Sequence, residues 1–217
     1  MNVPVEIFPQ LSKGGRFPNA FFGRVPGLDV ATEREVALAR LNDWHREMRE
    51  KVGFAGMPFI TAQQVHGNGV AVVDAESCSR VAGVDALVTG TPNVCLGIYV
   101  ADCGAVYAVD PVANCIGLAH SGRKGTELRI VPEMLRKMGE AFGSHPANVT
   151  VCLGPCIRPP LYEVDFAAEI VMQCREAGVG EVMDSGICTG SNPGRYYSYR
   201  MEKGKTGRLL ALLAMKG

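Results

Sequence analysis

The stretch from residue 59 to residue 118 constrains the fold of this 217-residue chain more than any other part. It is rich in Val, Ile and Thr, and Gly, Pro and Asn interrupt it at short intervals, which is the pattern of consecutive β-strands. Helical patterns flank it. Strands gathered in the middle with helices outside predict an α+β fold rather than strict β–α alternation. The length favours one large domain over 1–217, with two small domains as the weaker alternative.

Apolar periodicity predicts three helices, which cover residues 32–48, 126–142 and 166–177. Thr32 and Glu35 form a capping-box pattern at the start of the first helix. Its predicted apolar face consists of Ala37, Leu41, Trp44 and Met48. Shorter apolar runs predict strands at 20–24, 59–65, 94–100, 116–119, 148–153 and 196–200, and a strand or a helix at 208–215.

Composition excludes several classes of protein. Lys and Arg together number 22, as do Asp and Glu, and no basic patch stands out, so nothing supports a nucleic-acid partner. Residues 1–10 lack the features of a signal peptide, and no stretch approaches the roughly 20 apolar residues that span a bilayer. We therefore expect a cytoplasmic protein with no membrane association. Its eight scattered cysteines are expected to be reduced, since several lie in apolar runs.

Three short segments carry the candidate chemistry. They are Gln-Val-His-Gly around His66, Val-Ala-Asp-Cys ending at Cys103, and Ala-His-Ser-Gly around His120, and each closes or follows a predicted strand. If those strands are neighbours, two imidazoles and one thiolate converge at one end of a sheet. Two nitrogens and one sulfur with an open fourth position are typical of a catalytic zinc site, although such a set also accepts copper.

Taken singly, each of these residues has an ordinary interpretation. His66 would be a solvent-exposed turn residue, Cys103 a buried inert thiol, and His120 a strand-end histidine with a hydrogen-bond partner. The remaining histidines, His45 on a predicted helix and His145 in a Ser-His-Pro turn, are predicted at the surface. The combination of all three segments at strand ends favours the metal site.

The loop after His120 adds two cations, Arg123 and Lys124, flanked by glycines and followed by a helix. Glycines let the backbone approach a ligand, and adjacent cations suit a phosphate or a carboxylate. A surface turn with solvated basic side chains explains the loop equally well. Asp102 is a candidate general base or a partner that orients a histidine.

Two further acidic residues have less specific interpretations. Glu163 is a second candidate acid, or else a solvated turn carboxylate. Asp85 is expected to cap or fix a turn.

The segments together resemble the YfiH-like family, also called the laccase-domain or polyphenol-oxidase family. The resemblance covers nearly the whole chain and rests on Gln64–Gly67, Asp85–Thr89, Leu96–Cys103, Asp110–Pro111, Ala119–Gly122, Gly154–Ile157, Tyr162–Asp165, Ser198–Arg200 and Thr206–Arg208. Members are mostly described as purine nucleoside phosphorylases that also deaminate adenosine. The resemblance implies an α/β/β/α sandwich of mixed sheets, and zinc bound by the residues that match His66, Cys103 and His120.

The chain departs from the family pattern in three places. The usual His-Ala-Gly-Trp-Arg-Gly is His-Ser-Gly-Arg-Lys-Gly here, so an aromatic residue is lost and lysine replaces an arginine that would grip an anion with two hydrogen bonds. The early Phe-Phe-Gly-Arg ending at Arg24 resembles the family, but the Ser-Leu-Asn and Gly-Asp-Asp segments that follow it are unrecognisable. The chain is also shorter after Asp165.

These observations lead to one hypothesis with two alternatives. The chain is expected to be a zinc enzyme that acts on purine nucleosides with phosphate. Arg24, Arg123 and Lys124 are expected to contact phosphate or substrate, and Lys124 also to assist catalysis. Asp102 or Glu163 is expected to transfer protons. Alternatively, Cys103 is the nucleophile of a cysteine hydrolase or deamidase. A third possibility is a non-catalytic small-molecule binder, related to editing of peptidoglycan precursors. A multicopper laccase is excluded, because its copper clusters need many more imidazoles than four histidines supply.

Overall fold

Two six-stranded sheets form the centre of the computed structural model, which describes residues 3–217. The strands, numbered in chain order, are β1 Val5–Glu6, β2 Asn19–Phe22, β3 Phe59–Ala62, β4 Val70–Val72, β5 Arg80–Val81, β6 Ala86–Thr89, β7 Cys95–Val100, β8 Gly104–Asp110, β9 Cys115–Ser121, β10 Thr150–Leu153, β11 Glu181–Asp184 and β12 Leu209–Ala214. The first sheet has the order β1-β2-β12-β7-β3-β5 and the second β11-β10-β8-β9-β6-β4.

Both sheets mix parallel and antiparallel pairs. In the first sheet β12 pairs antiparallel with β2 and β7, whereas β3 runs parallel to β7 and β5. In the second sheet β8 and β9 form a long antiparallel pair, and β4 and β11 lie parallel to their neighbours. The predicted mixed sheets are confirmed.

The principal core lies between the two sheets. Phe21, Leu96 and Ile98 of the first sheet face Tyr107 and Leu118 of the second, and all five are fully buried. Burying one such side chain contributes roughly 1.5–3 kcal/mol, so the facing surfaces hold the sheets together. Tyr107 satisfies its hydroxyl by donating to the Ala20 carbonyl oxygen across the interface, at 2.9 Å.

Helices cover the outer faces of the sheets. They are α2 Arg34–Arg49, α3 Arg123–Glu127, α4 Ile130–Phe142 and α5 Phe166–Glu176, whereas the short helix α1 Pro9–Ser12 buries Leu11 in the core between the sheets. Helix α2 packs its buried Met48 with an apolar cluster on the first sheet, and α4 and α5 bury Met134 and Ile170 against the second. The layers are therefore helix, sheet, sheet, helix, as the resemblance implied.

Two helix predictions need correction. The predicted helix 126–142 is two helices, because Arg129 adopts a left-handed conformation (φ 58°) between α3 and α4. Leu128, which the helical spacing of apolar residues predicts on the buried face, is exposed. The capping box at Thr32 is absent: α2 begins at Arg34 after Glu33, and no side chain caps it. The Glu35 carboxylate instead accepts two hydrogen bonds of 3.3 Å from Arg80.

The strand predictions were wrong at two positions. Residues 196–200 form turns rather than a strand, because their side chains and amides bond to a loop carboxylate instead of a neighbouring strand. Strand β3 ends at Ala62, three residues early. The apolar run at 208–215 is strand β12, in the middle of the first sheet, with every residue buried. Burial on both faces explains why it lacks alternation.

His45 lies in the interior and not at the surface as predicted. It lies on the buried face of helix α2 and is 2% exposed. Its ring stacks on Tyr99 with centroids 5.8 Å apart and lies near Phe22. Neither ring nitrogen has a hydrogen-bond partner among residues 3–217. Burial, together with the positive charge of Arg49, lowers the pKa of His45 to about 3. The imidazole is therefore neutral at physiological pH.

This buried histidine predicts acid sensitivity. The folded-state pKa lies below the unfolded value of 6.5, so the unfolded chain takes up the proton first as the pH falls. Between pH 7.5 and pH 5.0 this one group should cost the folded state roughly 2 kcal/mol. Urea unfolding of His45→Phe at both pH values should show that loss reduced. His145→Asn, at an exposed turn, should behave as the wild type; equal losses in both variants would contradict the assignment.

Candidate metal centre and cavity

Three chain segments from two sheets supply the candidate metal ligands. His66 follows β3 of the first sheet, and His120 lies at the end of β9 in the second. Cys103 lies in the turn 101–103 that carries the chain from β7 in the first sheet to β8 in the second. The predicted convergence is found, but it occurs between the ends of two sheets and not along one.

The three side chains are close enough to share an ion. A nitrogen from each imidazole and the Cys103 sulfur all lie within 4.8 Å of one another, and the two rings meet edge to face with centroids 4.8 Å apart. Ligand atoms around a tetrahedral zinc are separated by about 3.5 Å, given bonds of about 2.0–2.3 Å. Small side-chain rotations would close that difference, so the donor set fits zinc.

Asp85 supports the candidate metal centre by fixing the turn that carries His66. Its fully buried carboxylate accepts hydrogen bonds from the backbone N–H groups of Val65, His66 and Gly67 at 2.8–3.1 Å. These contacts hold His66 in a left-handed conformation (φ 61°), which is unfavourable for a residue with a Cβ. The sequence assigned Asp85 to fixing a turn, and that prediction is confirmed.

The same carboxylate also orients His120. Asp85 Oδ1 lies 2.8 Å from His120 Nδ1, and the Asp85 carbonyl oxygen accepts from the His120 backbone N–H. With Nδ1–H donated to Asp85, Nε2 is the nitrogen that would bind a metal after losing its proton. This second role of Asp85 was missed, because spacing alone does not reveal which carboxylate meets which ring.

The charges at the centre favour a thiolate. Burial by itself raises the pKa of Cys103, but the nearby charge and hydrogen bond of His120, with those of His66, outweigh it and lower the pKa. Burial likewise lowers the pKa of His120, yet the Cys103 thiolate and Asp85 raise it overall. Without metal, the centre is therefore a thiolate beside a protonated His120, and a metal would bind with release of that proton.

Gly122 makes room for this thiolate. A side chain at that position would overlap Cys103 Sγ, so the glycine of His-Ser-Gly is required by close approach rather than by flexibility. The following loop is secured by Thr126, whose hydroxyl bonds both the Ser121 hydroxyl and the Gly122 carbonyl oxygen.

The centre opens into a cavity of about 740 Å³. The volume suits a small molecule of the size of a nucleoside with a second ligand. Four aromatic side chains, Tyr99, Tyr162, Phe166 and Tyr199, line its walls. Five cationic side chains also line it, against the two carboxylates of Glu33 and Asp102, so the lining carries net positive charge. The cations are Arg34, Arg123, Arg200, Lys203 and Arg208.

The predicted substrate contacts are only partly brought together. Arg123 lines the cavity, where it pairs with Glu127 at 2.9 Å, but Lys124 is exposed and lies outside the lining residues. Arg24 also lies outside them: it pairs with Glu202 at 2.7 Å and stacks on Tyr197.

The two predicted proton carriers make structural contacts. The Asp102 carboxylate accepts hydrogen bonds from Thr189, Ser198 and the Arg200 backbone N–H, at 2.7–2.9 Å, and Asp85 rather than Asp102 meets the histidine. Glu163 is exposed and pairs with Arg200 at 3.0 Å. Asp102 therefore secures the loop that presents Tyr199 and Arg200 to the cavity.

Four cationic residues of the cavity received no role in the sequence analysis. Arg34 lies in a predicted helix start, Lys203 lies in no motif, and Arg200 and Arg208 were noted only within the Ser-Tyr-Arg and Thr-Gly-Arg segments. A detectable signal was the lone arginine that immediately precedes the apolar run of β12. All eight cysteines are free, as expected, and no helix of residues 3–217 is long and apolar enough to cross a bilayer.

The family model described as "Multi-copper polyphenol oxidoreductase laccase" matches residues 26–172 and 164–216, and the chain belongs to this family. Among residues 3–217, His66, Cys103 and His120 form the one cluster of three or more potential metal ligands, so the multicopper part of that description has no counterpart there.

Relatives of known name carry a different description. The chain is 34% identical to a purine nucleoside phosphorylase of Deinococcus radiodurans, over 91% of this chain and 89% of that protein. It is 29% identical to purine nucleoside phosphorylase YlmD of Bacillus subtilis, over 73% and 71%. Two solved structures share the fold. YfiH of Bacillus licheniformis has a TM-score of 0.81 at 22% identity, covering 92% and 93% of the two chains. YlmD of Geobacillus stearothermophilus has 0.79 at 24%, covering 94% and 93%.

Replacing Asp85 should weaken metal binding. Asp85→Asn removes the charge that orients His120 and holds the His66 turn, and loss of such a supporting partner typically costs 10–100-fold in metal affinity. Competition with a chromophoric zinc chelator measures the change. Asp74→Asn, in an exposed turn with similar backbone bonds, is the matched control. Equal zinc affinities for the wild type and Asp85→Asn would contradict the role assigned to Asp85.

Proposed function

We propose that the chain is a zinc-dependent purine nucleoside phosphorylase, with deamination of adenosine as a second activity. The observation that carries the proposal is the His66, Cys103 and His120 cluster at the base of a cationic, aromatic-lined cavity. The names of the relatives support the same substrate class. The substrates are small molecules, a purine nucleoside and phosphate.

Phosphorolysis sets three requirements. A phosphate oxygen forms a bond to the ribose C1′ while the bond from C1′ to the purine N9 breaks, and the departing purine takes up a proton. The protein must hold an anion near C1′, bind an aromatic base, and stabilise the charge that moves onto the base or the sugar. The cavity offers cations, tyrosines and a candidate metal centre for these tasks.

Residues of the chain share these tasks. His66, Cys103 and His120 would hold zinc, which supplies Lewis-acid polarisation when bound. Asp85 fixes the ring of His120 and the turn of His66. Tyr162 and Tyr199 line the cavity and would supply aromatic surface for a purine, with the Arg200 guanidinium over the Tyr162 ring at 5.6 Å.

Asp102 and Glu163 act as positioning residues in this proposal. Asp102 secures the backbone of Arg200 and Glu163 pairs with its guanidinium, so both restrain the same cavity wall. The carboxylate oxygens of Asp102 already accept three hydrogen bonds, which leaves little capacity for proton transfer to a substrate.

Deamination would use the same cavity. Water adds at C6 of adenosine and ammonia leaves, giving inosine, with the ribose bond intact. A metal centre with an open fourth position is the arrangement that such hydrolysis needs. Phosphate is a reactant in phosphorolysis and plays no part in deamination, which separates the two activities experimentally.

Product analysis tests the proposal. Zinc-loaded protein incubated with adenosine and phosphate should yield adenine and ribose 1-phosphate by mass spectrometry, and inosine should form with or without phosphate. His66→Ala and His120→Ala should abolish both, whereas His145→Ala, at an exposed turn, should retain them. A folded, zinc-loaded wild type that yields neither product would sink the proposal.

Alkylation separates a metal ligand from a free nucleophile. Without metal, Cys103 should react rapidly with iodoacetamide, because its neighbours lower its thiol pKa. Stoichiometric zinc should slow that reaction by at least about tenfold, since a metal-bound thiolate is no longer free. Exposed Cys78 is an internal reference that zinc should leave unchanged, and peptide mapping reports both sites. Equal rates with and without zinc would instead favour a nucleophilic cysteine.

A further inference from the structure

Arg208 is the most deeply buried cation of the cavity. It precedes β12 and is 8% exposed. Only its Nη1 has partners, the carbonyl oxygens of Thr206 and Gly207 at 2.8 and 2.9 Å. No carboxylate of residues 3–217 lies within ion-pair distance of it. The charges of Cys103 and Glu35 act on it without forming an ion pair, so its charge is only partly balanced and it can accept an anion from outside the chain.

Arg34 lines the same cavity from the first turn of α2. Its Nη2 donates to the Gln63 carbonyl oxygen at 3.2 Å, and its acidic neighbour Glu35 lies at 3.7 Å. Glu35 also accepts two hydrogen bonds from Arg80, so its single negative charge is shared between two arginines. Exposed Glu33 is the other acidic side chain on this wall.

The two arginines influence one another. Burial is the main cause that lowers the pKa of Arg208, and the charge of Arg34 is the next. Burial also lowers the pKa of Arg34; the charge of Glu35 opposes this shift and that of Arg80 adds to it. The charge of Glu35 acts on both guanidinium groups, but it lies 3.7 Å from Arg34 and forms no ion pair with Arg208. Two guanidinium groups that share one partly balancing carboxylate suit a doubly charged oxyanion, which each can bind through paired N–H donors.

The other arginines of the cavity are better neutralised. Arg123 pairs with Glu127, and Arg200 pairs with Glu163; all four side chains are more than half exposed to solvent. Solvated ion pairs at a rim attract an anion weakly. Arg34 and Arg208 are therefore less fully neutralised than Arg123 and Arg200. The sequence had instead favoured the loop of Arg123 and Lys124 as the anion site.

We propose that Arg34 and Arg208 form an oxyanion subsite that binds a phosphate dianion beside the metal centre. The inference rests on the proposed function, for which it supplies the position of the phosphate. The dianion is either free orthophosphate, the co-substrate of phosphorolysis, or the phosphate ester of a nucleotide. Both have the same chemistry at the guanidinium groups.

Direct binding of inorganic phosphate tests the subsite without requiring turnover. Isothermal titration of the zinc-loaded full chain with phosphate should give a dissociation constant that rises roughly tenfold or more in Arg34→Gln, as expected for loss of a charge-assisted pair of hydrogen bonds. Arg34→Lys should lie between the two, because it keeps the charge and loses the fork. Arg46→Gln, an exposed position on the same helix that pairs with Asp43, should match the wild type.

Arg208 needs a variant that preserves its backbone contacts. Arg208→Lys retains a donor for the Thr206 and Gly207 carbonyl oxygens, and thermal unfolding checks that it folds. Arg208→Lys should weaken phosphate binding by several-fold, and the double variant with Arg34→Gln should bind phosphate more weakly than either single variant. Arg123→Gln tests the competing location and should change the phosphate dissociation constant by less than about twofold, as expected for a solvated pair.

Competition distinguishes the source of the dianion. If the site binds a nucleotide ester, adenosine 5′-monophosphate should displace phosphate. It should also bind more tightly than adenosine in the wild type but not in Arg34→Gln. If the site binds the free co-substrate, phosphate and adenosine should bind at the same time. Either result supports the subsite. Phosphate binding unchanged in Arg34→Gln and Arg208→Lys, or weakened only in Arg123→Gln, overturns it. Arginine-dependent phosphate binding without any turnover of adenosine leaves the subsite in place and refutes the proposed phosphorylase.

Discussion

The buried carboxylate of Asp85 is the interaction on which the candidate site depends. It joins a loop of the first sheet to a strand of the second, through three backbone N–H donors on one side and His120 on the other. Burial raises its pKa, but the hydrogen bonds from His120 and the loop amides lower it overall, so the group stays ionised. An ionised buried carboxylate is tolerated only when its oxygens are this fully bonded.

The placement of the cavity follows from how the sheets are connected. The chain leaves the first sheet after β7, turns through residues 101–103 and enters the second sheet at β8. This turn places Cys103 between the sheets, and Asp102 adopts a left-handed conformation (φ 84°) stabilised by its bonds to Thr189 and Ser198. The apolar core therefore ends at a polar cluster, where the separation of the sheets leaves space for ligands.

Two electrostatic arrangements share this space. At the base, a thiolate and two imidazoles form a donor set for a metal cation. Along one wall, two poorly neutralised arginines present donors for an anion. A cavity that pairs a cation site with an anion site can bring two polar reactants together and hold them in fixed positions, which is the main requirement of a transfer reaction. The surrounding tyrosines supply the apolar surface for a base.

The sequence predicted much of the fold, and where it failed the causes were physical. Strong strand patterns at 94–100 and 116–119 were found within a residue or two, because burial in a sheet imposes them. The sequence did not predict the helix break at Arg129, because the helical spacing of apolar residues continues through it although Arg129 adopts a left-handed backbone conformation. His45 was predicted at the surface because histidine is polar. Its burial depends on the Tyr99 ring, which lies far along the chain and is brought next to it only by the packing of helix α2 on the sheet.

The candidate site divides in the same way between sequence and tertiary structure. The sequence by itself determined the candidate ligand types, since His66, Cys103 and His120 occur in segments whose residues and strand-end positions are typical of a soft metal site. Only the tertiary structure decided that Asp85 supports them and that Arg34 and Arg208 face the cavity while Arg24 and Lys124 do not. Charged side chains are long and pair with partners far along the chain, so their neighbours depend on how the two sheets pack and cannot be obtained from local spacing.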